Sequence, residues 1–216
     1  MRILASVLSL DKGRFREGVE LAELAGVDGF QLDVADGVFV DNLAGGTDEM
    51  KALRALTDLP VDAHLMVSDP FRLAPVYASL GADTVTVHVE ASGDPELADV
   101  IREHGARPIL ALNPETPLEA AMGVLEAYDG ILIMTVHPGF SGRGFLPEVM
   151  PKLRKASGLG LPLGAGVDGG VNDRTIVIAA ENGASFAISS SFIFKGEVAE
   201  RVRILREAVG GWTTRR

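Results

Sequence analysis

Along the chain, short apolar runs alternate with segments whose apolar residues recur at helical spacing, and this alternation continues from end to end. Strand candidates lie near residues 3–9, 28–36, 61–67, 84–91, 107–113, 130–137, 162–169 and 185–191. Between them, spaced apolar positions such as Phe15, Val19, Leu21, Ala22 and Leu24, or Val100 and Ile101 ahead of Gly105, predict helices. Several of these segments end in a glycine followed by a small apolar residue, at Gly26-Val27, Gly81-Ala82, Gly105-Ala106 and Gly183-Ala184. A glycine there supplies the left-handed C-cap from which the next strand starts. Runs such as Ile131-Leu132-Ile133-Met134-Thr135-Val136 are apolar almost throughout, as parallel strands covered on both faces are. Repeated β/α units without a linker or low-complexity stretch predict an α/β fold, a single (β/α)8 TIM barrel over residues 1–216 with a frayed tail from about Gly210. A doubly wound open sheet is the rival architecture. The turn after its first strand would carry a glycine-rich dinucleotide fingerprint, which Ser9-Leu10-Asp11-Lys12-Gly13 is not.

A barrel of this kind gathers the C-terminal ends of its strands around one pocket, so polar residues at those ends become the candidates for chemistry. Asp33 ends an apolar strand in Phe30-Gln31-Leu32-Asp33-Val34-Ala35-Asp36-Gly37, and Asp168 does so in Val167-Asp168-Gly169-Gly170. An acid that closes an apolar strand and opens a glycine turn is badly placed for packing and well placed to face a ligand. His64, in Asp62-Ala63-His64-Leu65-Met66, joins them, since an imidazole and two carboxylates suit a divalent metal with open positions. His88, in Thr86-Val87-His88-Val89-Glu90, reads as structural or as support behind a ligand, and His104 as solvated. After the last strands come Gly139-Phe140-Ser141-Gly142, Gly169-Gly170 and Ser189-Ser190-Ser191. Small residues let backbone N–H groups approach an anion, so these loops form a candidate phosphate grip.

Composition narrows the field. In 216 residues, 47% are hydrophobic and only 6% aromatic, so aliphatic side chains dominate the core. Thirty acids against twenty bases leave a net charge of −10, which argues against nucleic acid as a partner. No apolar run reaches membrane-spanning length, and Met1-Arg2-Ile3-Leu4 leads directly into a strand, so neither a membrane anchor nor a signal peptide is expected and the cytoplasm is the expected compartment. The absence of cysteine excludes disulfides and thiolate metal sites.

Taken together, Ser6-Val7-Leu8-Ser9, Leu32 to Val40, Asp62 to Met66, Thr86 to Ala91, Leu112 to Pro117, Met134 to Gly142 and Val167 to Val171 follow the motif order of the ribulose-phosphate 3-epimerase family, which the chain resembles from Ala5 to about Ala208. The resemblance implies a TIM barrel that moves a proton at C3 of a ketose phosphate through an enediolate. It makes Asp33 and Asp168 the acid–base pair, and Asp33, His64 and Asp168 ligands of a divalent ion such as Zn, Mn or Mg. Ser6, His64 and Met66 match substrate contacts. Gly139, Phe140, Ser141, Gly142, Gly169, Gly170, Ser190 and Ser191 match the phosphate grip. A homo-oligomer is the family's common state.

Some positions depart from the family pattern. Gln31 stands where the family has a fourth metal ligand, a histidine, and an amide oxygen is a poorer zinc ligand than imidazole. Ala35 replaces a usual methionine beside the reacting carbon, and Ser190 a glycine beside the phosphate. A sugar-phosphate-binding barrel without catalysis, or an isomerase or lyase that shares the enediolate, are the alternatives these departures leave open.

Overall fold

The computed structural model describes residues 1–139 and 144–213. Eight strands form the barrel: β1 (Arg2–Ser6), β2 (Gly29–Asp36), β3 (Val61–Met66), β4 (Thr84–His88), β5 (Arg107–Leu112), β6 (Gly130–Met134), β7 (Gly164–Asp168) and β8 (Phe186–Ser189). Each pairs in parallel with its neighbours, and β1 bonds both β2 and β8, so the ring closes on itself. The fold is the (β/α)8 TIM barrel that the alternating pattern predicts. A two-residue antiparallel strand, Leu43–Ala44, folds back onto the end of β2.

Several strands stop sooner than the apolar runs, whereas β2 runs on to Asp36, so Asp33 lies within its strand and not at its end. β1 ends at Ser6, whose Oγ accepts from Leu8 N–H at 3.3 Å and starts a 3-10 turn over Val7–Ser9. β6 ends at Met134. Val7 and Val136 nevertheless stay buried, so the apolar run reports burial that continues after the ladder has ended.

Helices α1 (Phe15–Leu24), α2 (Thr47–Arg54), α3 (Pro70–Ser79), α4 (Pro95–Glu103), α5 (Met150–Ser157), α6 (Thr175–Glu181), α7 (Ser191–Phe194) and α8 (Val198–Thr213) cover the outside. Asp69 and Asp94 cap α3 and α4 by accepting from Arg72 and Glu96 N–H groups, and each is followed by a proline suited to the first helical turn. The stop glycines Gly26, Gly81, Gly105 and Gly183 all have φ near +90°. Between β5 and β6 the expected α-helix is absent. Two 3-10 turns, Leu118–Ala120 and Leu125–Ala127, take its place, with Gly123 between them lowering helix propensity. The final helix runs past Gly210, where fraying is expected. No helix among the described residues is long and apolar enough to cross a membrane.

Alternation along each strand sorts side chains into two layers. Leu32, Val34, Leu65, Val87, Leu110, Ile131, Ile133 and Val167 belong to the outer core. Ile109, Ala111, Leu132, Met134, Phe186 and Ile188 form a separate apolar cluster, which fills the β5, β6 and β8 side of the barrel interior. The Phe186 ring fits because Gly166 has no side chain: a Cβ there would lie 2.2 Å from it. On β2, β3 and β4 the corresponding positions are polar, and Gln31, Asp33, Asp62, His64, Thr86 and His88 are all buried. Half of the barrel interior is oil and half is a hydrogen-bonded network.

Candidate active site

Strand register arranges the polar half in two rows. Gln31 pairs across with Asp62 and Asp62 with Thr84, while one layer higher Asp33 pairs with His64 and His64 with Thr86. Burial of these groups is tolerable because they satisfy one another. In the lower row, Asp62 accepts from Thr84 Oγ1 at 2.7 Å, Thr86 Oγ1 at 2.8 Å and Gln31 Nε2 at 3.2 Å. In the upper row, Ser6 Oγ donates to Asp33 Oδ2 at 2.6 Å, and Asp33 Oδ1 lies 3.0 Å from His64 Nδ1. Asp168 reaches the same nitrogen from β7, its Oδ2 3.5 Å away.

The electrostatics follow from crowding acids in a dry place. Burial, then the neighbouring charge of Asp33, push the Asp168 carboxyl up to about 7. Burial likewise raises Asp62 despite its threonine bonds. For His64, burial opposes the charged form, but the bond to Asp33 and the charges of Asp33, Asp168 and Asp62 outweigh it and raise the pKa. Burial and crowding thus hold these acids toward their neutral forms unless a positive charge joins them.

Asp33, His64 and Asp168 each offer one ligand atom, and these atoms lie within 4.8 Å of one another. This donor set fits a divalent cation. Gln31 adds a further feature. Its Nε2 is taken by Asp62, while its buried Oε1 has no hydrogen-bond partner. A buried acceptor without a partner, beside crowded carboxylates, fits a cation bound among them.

Above these residues opens a cavity lined in part by Ser6, Asp33, Met66, Gly139, Asp168, Gly169, Gly170, Ser190 and Ser191. Nine of the residues singled out from the sequence thus meet in one place. Phe140, Ser141 and Gly142 lie outside the described residues. Gly169 and Gly170 have φ of +113° and +64°, and a Cβ on Gly169 would strike Val136 at 2.3 Å. Only glycine lets the chain turn there and bring its backbone to the cavity. Ser190 lines the rim, but its hydroxyl turns away. It donates to Ser6 O at 2.8 Å and accepts from Ser9 N–H at 3.1 Å, tying β8 to β1. Ala35 is buried and is not among the cavity's lining residues, whereas Met66 and Met134 are.

Met134, Asp62, Thr84 and Glu90 were not reached by sequence reasoning as site residues. A signal for Asp62 and Thr84 existed: polar residues of one parity at 31 and 33, 62 and 64, and 84, 86 and 88 mark a polar interior face on consecutive strands. His104 is exposed at the end of α4, as expected.

Comparison with known proteins agrees with this geometry. A model of the ribulose-phosphate 3-epimerase family matches residues 2–194. The chain is 41% identical over 214 residues to ribulose-phosphate 3-epimerase of Methanocaldococcus jannaschii, covering 96% of this chain and 91% of that one. It is 39% identical to that of Mycobacterium tuberculosis, covering 96% and 93%. Among solved structures, 3-hexulose-6-phosphate synthase from Salmonella typhimurium superposes with a TM-score of 0.74 at 16% identity, over 98% of this chain and 99% of that one, a likeness of fold. A barrel with these carboxylates at its mouth, and relatives this similar over nearly its whole length, belongs to the ribulose-phosphate 3-epimerase family.

Proposed function

We propose that this protein is a ketose-phosphate 3-epimerase acting on ribulose 5-phosphate or a closely related ketose phosphate, the reaction named for its relatives. The observation that carries this reading is the convergence of Asp33 and Asp168, from strands separated by β1 and β8, on one cavity rimmed by glycine and serine.

A proton on C3 of such a sugar is only weakly acidic, so its transfer needs a positioned base on one face and an acid on the other. Asp33 is held for this by Ser6 on one oxygen, while its other oxygen faces His64 Nδ1. Asp168, with its pKa near 7, exists in both protonated and ionised forms near neutrality, so it can carry a proton and give it up. Asp33, His64 and Asp168 would hold a divalent cation, Zn2+, Mn2+ or Mg2+, whose charge offsets the negative charge developing on the substrate oxygens. Met66, Met134 and Ile188 give the cavity apolar walls that keep bulk water from the reacting carbon. The phosphate sits against the backbone of Gly169, Gly170, Ser190 and Ser191, since no Lys or Arg lines the cavity among the described residues.

The test is wash-in of solvent deuterium at C3 of ribulose 5-phosphate, together with formation of the C3 epimer. Wild type should do both. Asp33→Asn and Asp168→Asn should each lose about 10²–10⁴-fold. No label in the wild-type reaction, or wild-type turnover in either folded variant, would remove the two-carboxylate mechanism.

A further inference from the structure

His88 lies directly behind His64, with ring centroids 5.0 Å apart, planes inclined by 19°, and the two Nε2 atoms 2.8 Å from each other. Two ring nitrogens at that distance need one proton between them, because two bare lone pairs or two N–H groups repel. The far side of His88 decides which ring carries it. His88 Nδ1 is 3.2 Å from Glu90 Oε2, and an ionised carboxylate offers only lone pairs, so Nδ1 is the protonated nitrogen of His88. Its Nε2 is then the acceptor, and the shared proton belongs to His64 Nε2. That leaves His64 Nδ1 aimed between Asp33 Oδ1 and Asp168 Oδ2.

The surroundings hold this chain in place. Both histidines are fully buried, and the Phe39 ring packs 4.9 Å from His88, so water does not compete for the ring nitrogens. Glu90 Oε1 accepts from Asn113 N–H at 2.8 Å. Lys152 Nζ in turn binds the carbonyl oxygens of Asn113, Pro114 and Thr116, which fixes the loop that holds Glu90. Burial pushes Glu90 up, but bonds from His88, Thr116 and Asn113 keep it ionised with a pKa of about 2.

We propose that Glu90 and His88 are positioning residues that fix His64 in the tautomer protonated on Nε2 and so present Nδ1 to a divalent cation shared with Asp33 and Asp168. This rests on the cation site put forward above and adds its outer support, which reaches from the loop after β5 to the ligand atom. Such partners commonly govern affinity for the metal they never touch.

The experiment uses metal-stripped wild type, Glu90→Gln and His88→Leu. Ring 15N resonances are read first, and Mn2+ is then titrated into the same samples. Wild-type His88 should be neutral with its proton on Nδ1. Glutamine keeps the size of Glu90, so the fold should survive, but its NH2 can donate to His88 Nδ1 and favour the opposite tautomer. Glu90→Gln should therefore show mixed tautomers, and both variants should bind Mn2+ about 10–100-fold more weakly. A wild-type His88 protonated on Nε2, or Glu90→Gln with unchanged tautomer and Mn2+ affinity, would overturn the positioning role. Wild type that shows the expected tautomers yet binds no Mn2+ would overturn the cation site itself.

Discussion

Replacing Asp168 with asparagine should make the metal-free protein more stable while removing its activity. The Asp168 side chain is only 15% exposed, and burial together with the charge of Asp33 raises its pKa from an ordinary 3.8 to about 7. For an acid, that is a cost of folding in the ionised form. Below about pH 4 the carboxyl is protonated folded or unfolded, and no penalty exists. As the pH rises the unfolded chain ionises first, so the penalty grows between about 4 and 7 and is complete above 7. At about 1.4 kcal/mol per pKa unit, a gap of roughly three units sets a ceiling of about 4 kcal/mol. Asparagine also gives up the attraction to His64 across 3.5 Å, which leaves a net gain of about 1–3 kcal/mol. For a chain of this size that is roughly 2–12 °C in Tm. Thermal unfolding at pH 8 in EDTA should show Asp168→Asn melting above wild type, with the difference shrinking toward pH 4. Added Mn2+ should raise wild type by mass action and leave the variant nearly unmoved. A variant less stable than wild type at pH 8 in EDTA, or a gain that grows as the pH falls, would refute this account of the site's electrostatics.

Gln31→His should raise Zn2+ affinity by roughly tenfold or more, because imidazole is the better zinc ligand; equal affinities in competition with a chelator would show that position 31 does not face the ion. Gly170→Ala forces a side chain into φ +64° beside the cavity, at about 1–2 kcal/mol. It should raise KM for the ketose phosphate more than it lowers kcat, and an unchanged KM would place the phosphate elsewhere. Phe186→Ala empties the barrel interior next to Gly166, which has no side chain to fill the gap. It should cost about 3–5 kcal/mol in urea unfolding, and a loss below about 1 kcal/mol would mean that the interior collapses to fill it.

The barrel was legible because each strand and helix carries its own periodic signature, and because the stop glycines mark where one unit hands over to the next. Asp168 was legible for a local reason too: an acid between an apolar strand and a glycine turn has no packing role to play. Asp33 stood out on the same reading, but β2 runs on to Asp36, and it is strand parity that turns Asp33 into the barrel. The ends of β1 and β6 were not, since Val7 and Val136 remain buried after their ladders stop and their pattern cannot tell the two conditions apart. The helix expected between β5 and β6 failed because apolar spacing there did not weigh Gly123 against it. Ser190 reads as crowding a phosphate, yet its hydroxyl bonds Ser6 and Ser9, residues at the opposite end of the chain.

The same limit applies to the centre of the site. Every residue of the line Glu90, His88, His64, Asp33 and Asp168 is visible in the sequence, and three of them stood out as candidate ligands. That His88 meets His64 nitrogen to nitrogen, that Asp62 is the partner of Gln31, and that Asp168 arrives from β7 at the same imidazole depend on strand register and on closure of the ring. A slip of one residue in β3 would turn His64 and Asp62 out of the interior together. Which segments become strands and which of their positions are polar can be read along the chain, because each depends on neighbours a few residues apart. Which polar groups share a proton or surround a cation cannot be read that way, because those contacts are made by the pairing of strands far apart in the chain.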